Sequence, residues 1–120
     1  MNSVTQIFAV LAGLLHIGVF LMESVLFSRP NVQRLFLGNA PSTPQVRTFA
    51  FNQGFYNLFL ALGAIGGVIA GGPEGKVLAL FSCACMAGAG VVLLASQRRM
   101  WRGALLQIVP AGIALVAGLL

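Results

Sequence analysis

The sequence contains few charged residues, and this shortage decides its class. Only 8% of the 120 residues are charged, and only two of them are acidic, whereas about 25% of a soluble domain is usually charged. Hydrophobic residues make up 58% of the chain, and the mean hydropathy is +0.95. Apolar stretches of around 20 residues recur, each long enough to cross a hydrocarbon core of about 30 Å. We therefore expect an integral membrane protein with a single compact domain over residues 1–120.

Cysteine is also scarce. Cys83 and Cys85 are two residues apart, a spacing that turns a helix by about 200° and points the two thiols to opposite faces. In that geometry they form neither a local disulfide nor a metal clip, so we expect small packing residues. The sequence shows no metal-ligand cluster, no phosphate-binding loop and no nucleophile beside a partnered base. We therefore expect neither metal nor cofactor, and hydrolysis and phosphoryl transfer are disfavoured.

The apolar stretches predict an all-α fold, a membrane-spanning four-helix bundle. Ser28-Arg29-Pro30 ends the first helix, because proline breaks a helix and arginine favours water. The first segment lacks a basic start and a convincing cleavage site, so it is interpreted as a retained helix and not as a signal peptide. The long first loop contains an apolar stretch at 32–37 that fits either a short interfacial helix or irregular chain. The predicted membrane helices are about 4–27, 47–70, 77–96 and 102–119.

The basic residues predict the orientation of the bundle. The net charge is +5, but no basic helix and no aromatic stacking platform accompanies it, so nucleic-acid binding is not expected. Only Lys76 lies in the second loop, and the other six basic residues lie in or beside the first and third loops. By the positive-inside rule those loops face the cytoplasm and both termini face outward, in a bacterial cytoplasmic membrane. The six are Arg29, Arg34, Arg47, Arg98, Arg99 and Arg102.

Two ionisable residues lie inside the first predicted helix. An ionisable group in a bilayer is costly and is expected to face protein or a water-filled cavity. His16 and Glu23 are seven residues apart, so they share a helix face within about 20° but are separated by about 10.5 Å along the axis. Two alternatives remain open: Glu23 snorkels to the interface, or His16 bonds a neighbouring carbonyl. As catalytic candidates, the two side chains need a ligand, water or another helix between them.

The second predicted helix carries four polar residues within six positions. Depth counted from the helix ends places Asn52 and Gln53 level with Glu23, and Tyr56 and Asn57 one turn deeper. In the fourth helix, Gln107 is expected near the level of Glu23, where a proline at 110 loosens the helix. We predict that these side chains bind a ligand; hydrogen bonding between helices is the alternative. The predicted ligand-binding residues are Asn52, Gln53, Tyr56, Asn57 and Gln107.

A glycine stripe extends the polar one. Asn52 and Tyr56 are one turn apart, and Gly63, Gly67 and Gly71 continue at four-residue spacing. Glycines at this spacing allow close helix approach, so the stripe is expected to face the bundle interior. The same glycines are a candidate seam for a homodimer.

Two segments resemble a known family. The pattern LLHIGVFLMES around His16 and Glu23, followed by FNQGFYNLFLALG, resembles the bacterial family of small four-helix membrane proteins called domain of unknown function 1304. The resemblance covers nearly the whole chain. It implies a four-helix fold and a membrane location, and it implies no activity.

Two classes of function are open. In the first, an intramembrane polar pocket binds a small amphipathic or lipid-like molecule. His16 and Glu23 could then add acid–base chemistry of the isomerase or epimerase type, since one group could donate a proton as the other accepts one. In the second, the chain is a small oligomeric transporter or an accessory subunit of a larger membrane complex. The polar residues would then line a pathway or hold helices together. Whether the protein is an enzyme is left undecided by the sequence.

Overall fold

A computed structural model describes residues 1–120 and contains helices but no strands. Four helices are long and apolar enough to cross a membrane, counting the short turns attached to two of them. The fifth is a short helix in the first loop. In chain order the elements are α1 (Ser3–Phe20), a π-helical turn (Leu21–Val25), α2 (Pro30–Leu37), α3 (Pro44–Ala70), α4 (Gly72–Ser96), a 3₁₀ turn (Arg98–Met100) and α5 (Trp101–Leu119).

The four long helices form a closed antiparallel ring in which α1 packs on α3, α3 on α4, α4 on α5, and α5 on α1. Mostly small side chains, together with Met86, fill the centre, whereas large apolar side chains such as Phe59 and Phe81 point outward. This pattern suits a bundle surrounded by lipid, because lipid solvates large apolar groups and small residues allow close helix packing. The chain is a multi-pass membrane protein. The core residues are Ala9, Ala12, Ala64, Cys83, Met86, Ala111 and Ala114.

Most predicted helix ends agree with the structure, and local residues explain them. The Asn2 side chain accepts a hydrogen bond from the Thr5 N–H at the start of α1, and Thr43 caps α3 in the same way. At the other end of α3, Gly71 has a φ of 66° and Gly72 a φ of 67°. Few residues other than glycine adopt this conformation. The chain therefore reverses within two residues, and α4 begins about five residues earlier than predicted.

Gly63 and Gly67 pack against α4 of the same chain. A Cβ atom on Gly67 would lie 2.6 Å from both the Ala79 nitrogen and the Gly75 carbonyl oxygen of α4, and one on Gly63 would collide with the Ser82 hydroxyl. Only Gly71 of the predicted seam has open space around it. Homodimerisation stays a prediction, but two of the three glycines already pack against α4 of the same chain.

The short helix in the first loop is tied to the third loop. Val32 of α2 is buried, and Phe36 packs on Phe27 with ring centroids 6.0 Å apart. The Arg99 guanidinium donates hydrogen bonds to the Leu35 carbonyl at 3.1 Å and to the Phe36 carbonyl at 2.5 Å. Of the two alternatives left open for residues 32–37, the structure gives the short helix, which begins at Pro30. The first and third loops therefore meet at one end of the bundle, called here the arginine-rich end.

Replacing Arg99 with alanine is expected to loosen α2. The substitution removes two hydrogen bonds from a charged donor to the last turn of that helix. Because the site is partly in solvent, we expect backbone amides in residues 33–38 to exchange roughly three- to tenfold faster in hydrogen–deuterium exchange mass spectrometry. Arg98→Ala removes an equal charge from the same turn and is the control. Equal exchange in the two variants would show that Arg99 does not hold α2.

Candidate functional site

The π-helical turn places two polar residues of the first membrane helix against α3. The Ser24 hydroxyl donates a hydrogen bond to the Phe51 carbonyl at 2.7 Å. Gly54 of α3 leaves room for Ser24, because a Cβ atom there would collide with the serine hydroxyl. A π-helical turn holds one residue more than an α-helical turn and is frequent at functional sites. Neither the turn nor this contact was predicted from the sequence.

Glu23, inside that turn, forms a hydrogen bond with Asn57. The Asn57 Nδ2 donates to Glu23 Oε1 at 2.7 Å and to the Gln53 carbonyl at 3.1 Å. These two bonds use both amide hydrogens of Asn57 within the protein, and the residue is only 8% exposed. The pair is therefore a polar contact between the first membrane helix and α3.

The predicted depth of Glu23 was wrong by two to three residues, because the Ser24–Gly54 contact places Glu23 level with residue 55. Equal counting from the helix ends placed Glu23 level with Asn52 and Gln53, but its partner is Asn57. The reason is that α3 extends past its neighbour at the arginine-rich end. Residues 44–53 lie beyond the Ser24–Gly54 contact, whereas only Val25 follows Ser24 in the π-helical turn.

His16 is buried in the bundle and does not contact Glu23. Its side chain is 1% exposed, and Nδ1 lies 2.8 Å from the Ala12 carbonyl oxygen in the same helix. Nε2 has no hydrogen-bond partner in the protein. Of the alternatives for this residue, the structure therefore gives the bond to a carbonyl. The two catalytic candidates remain separate, each with its own local partner.

Three of the predicted ligand-binding residues face outward. Asn52, Gln53 and Tyr56 are exposed, with Tyr56 64% exposed, so the prediction that their stripe faces the interior was wrong. Gly67 lies at the edge of the buried face, towards α4, and Asn52 lies about 60° further round the helix on the outer side. The buried stripe of α3 is instead Gly54, Asn57, Ala61, Ala64 and Gly67.

These outward residues line a concavity on α3, called here the aromatic–amide groove. Its volume is about 550 Å³ and it is open to the surroundings of the bundle. Phe55 on one side packs edge-on against Phe20 of α1, with ring centroids 5.2 Å apart. The groove therefore combines two amides and a phenol with three phenyl rings. Its lining is Phe49, Asn52, Gln53, Phe55, Tyr56 and Phe59.

Gln107 lies apart from Glu23. Gln107 is half-buried in α5. A Cβ atom added to Gly90 of α4 would lie 3.0 Å from the Gln107 Cβ atom. Thr5 of α1 packs beside Gly118 of α5. Because the two helices are antiparallel, residue numbers rise along one as they fall along the other, so two residues at the same level have numbers that sum to about 123. Gln107 is therefore level with His16, and the predicted match with Glu23 was wrong.

A family match extends over nearly all of this architecture. Residues 10–119 match the family model described as Protein of unknown function (DUF1304). The chain belongs to this family. The resemblance inferred from the two segments is thereby confirmed, and every candidate residue of the DUF1304 chain lies in the matched range. No curated protein and no solved structure matches the chain.

The candidate residues of this DUF1304 protein thus fall into three separate groups: the bonded Glu23–Asn57 pair, His16 and Gln107 on different helices at one depth, and the aromatic–amide groove. No three His, Cys, Asp or Glu side chains lie close enough to hold a metal ion. Cys83 is buried and Cys85 is half-buried, and both are free thiols. Of the three groups, the groove is the one that opens to the surroundings of the bundle.

Proposed function

We propose that the protein binds a small amphipathic molecule from the lipid phase in the aromatic–amide groove. The observation that carries the proposal is the exposure of two amides and a phenol between phenyl rings on the outer face of a membrane-spanning helix. Polar groups that face lipid are unfavourable unless they find hydrogen-bond partners. A ligand with a hydroxyl or carbonyl group supplies such partners.

The order of the residues along α3 fits an amphipathic ligand. Asn52 and Gln53 lie towards the arginine-rich end of α3, and Phe59 lies two turns further along, about 10 Å away. A polar head would bond the two amides, while a ring or an acyl chain would pack along Tyr56 and Phe59. Phenyl rings give large apolar contact area and allow stacking with a flat ring.

The proposal is for binding and does not include catalysis. His16 is buried away from the groove, and Glu23 already accepts a hydrogen bond from Asn57. Acid–base chemistry at His16 and Glu23 therefore stays a sequence-based prediction. A role as a transporter or accessory subunit also stays a prediction.

Native mass spectrometry of the protein released from lipid nanodiscs tests the proposal, with organic extracts analysed in parallel. We expect the wild-type protein to retain a small amphipathic molecule at a defined ratio. Asn52→Leu/Gln53→Leu should reduce retention about tenfold, since each lost hydrogen bond contributes about 0.5–1.5 kcal/mol. Phe59→Ala should reduce it by a similar factor through lost apolar contact.

Phe81→Ala is the matched control, because Phe81 on α4 is 58% exposed and Phe59 is 59% exposed. It should leave retention unchanged. Equal retention by the control and the groove variants would place binding elsewhere, and a wild-type protein that repeatedly carries no small molecule would contradict the proposal.

A further inference from the structure

Polar groups of α1 and α5 lie at one depth in the bundle. Thr5 packs beside Gly118, and the buried residues Ala9, Ala12, Ala111 and Ala114 belong to one cluster. Counting eleven residues forward from Thr5 along α1 gives His16, and counting eleven residues back from Gly118 along the antiparallel α5 gives residue 107. His16 and residue 107 therefore lie at the same level. This depth lies well inside both helices, away from the membrane surface.

His16 contributes an unused acceptor at this depth. The Ala12 carbonyl oxygen, 2.8 Å from Nδ1, can only accept a hydrogen bond, so Nδ1 carries a proton; in the neutral ring the lone pair is then on Nε2. That nitrogen is fully buried and has no partner in the protein. A buried polar group without a hydrogen bond is destabilising, and native structures usually satisfy such groups with protein or ordered water.

Helix α5 contributes a donor and a second acceptor. The Cβ atom of Gln107 lies against Gly90 of α4, where the glycine leaves room for the side chain. Pro110 is buried and has no N–H, so the carbonyl group of Leu106 lacks its usual donor four residues later. A proline-freed carbonyl in a membrane helix must be satisfied by a neighbour or by water.

We propose that a single water molecule binds between His16, Gln107 and the Leu106 carbonyl group. A water molecule offers two donors and two acceptors. It donates to His16 Nε2 and to the Leu106 oxygen and accepts from the Gln107 amide, which gives the three hydrogen bonds typical of a buried water. The site is separate from the aromatic–amide groove and does not depend on ligand binding there.

The chain contains one histidine, which makes a single-residue test feasible. Protein labelled with ¹⁵N-histidine is reconstituted in lipid bilayers and studied by solid-state NMR. We expect Nδ1 to carry the proton, Nε2 to accept a hydrogen bond, and magnetisation to pass from water protons to Nε2. A ring that receives no magnetisation from water, or an Nε2 bonded directly to Gln107, would overturn the proposal.

Two variants test the other partners of the water. Gln107→Leu removes one partner, and Pro110→Ala restores an N–H donor for the Leu106 carbonyl, so both should weaken or abolish the transfer from water to Nε2. Pro110→Ala adds a helix hydrogen bond and keeps the experiment interpretable if Gln107→Leu does not fold. Gln6→Leu, on the exposed side of α1, should leave the transfer at the wild-type level. Undiminished transfer in Pro110→Ala would contradict the site.

Discussion

Replacing Asn57 with leucine is expected to destabilise the bundle by about 1.5–3 kcal/mol, because the Glu23 carboxyl group loses its hydrogen-bond partner inside the membrane segment. This exceeds the average of about 0.6 kcal/mol for a hydrogen bond between membrane helices, since a carboxyl group is left behind. Reversible unfolding in mixed detergent micelles measures the change in free energy.

A double variant separates the pair from general packing effects. Glu23→Leu/Asn57→Leu removes both polar partners, so it should recover part of the stability lost in Asn57→Leu. Asn52→Leu changes an exposed asparagine of the same helix and should have little effect on unfolding. If Asn57→Leu unfolds at the same detergent fraction as Asn52→Leu, the Glu23–Asn57 contact does not stabilise the bundle.

Gly67→Ala is expected to have the second large effect. The added methyl group would lie 2.6 Å from backbone atoms of Ala79 and Gly75, so a helix and not a flexible side chain must move. Overpacking of this kind costs about 1–3 kcal/mol. Thermal unfolding in detergent should show a clear drop in the midpoint, with a larger drop for Gly67→Val.

The neighbouring glycine provides the control. A Cβ atom on Gly66 meets nothing within 4 Å, and alanine in a helix is favoured over glycine by about 0.5–1 kcal/mol. Gly66→Ala should therefore leave the midpoint unchanged or raise it slightly. A Gly67→Ala protein as stable as Gly66→Ala would show that α3 and α4 do not approach as closely as described.

The fold was largely predictable because hydropathy and helix breakers act locally. Four apolar stretches and Ser28-Arg29-Pro30 were sufficient to place the membrane helices, and most ends agree within about three residues. The start of α4 is the exception, and it has an identifiable cause. Pro73 occupies the first turn of α4, where proline is tolerated, and α4 therefore begins before the predicted start.

The site was less predictable because it depends on rotation and offset between helices. Burial of His16 and Asn57 could be expected from their polar chemistry in a membrane. The outward direction of Asn52 and Tyr56 could not, because the stripe through Gly67 drifts round the helix over fifteen residues. The contact between Glu23 and Asn57 depends on how far α3 extends past its neighbour, and hydropathy does not report that offset.

The π-helical turn at Leu21–Val25 also bears on how relatives of this chain should be aligned. Because a π-helical turn holds one residue more than an α-helical turn, removing one residue would convert it to regular α-helix and leave the flanking segments facing nearly the same directions. A relative with a one-residue gap in this segment would therefore keep the flanking residues in place and differ only in which residues of the turn face α3. Such a gap would mark a structural subgroup, and aligning the flanking sequences without it would pair residues that do not share a place in the bundle.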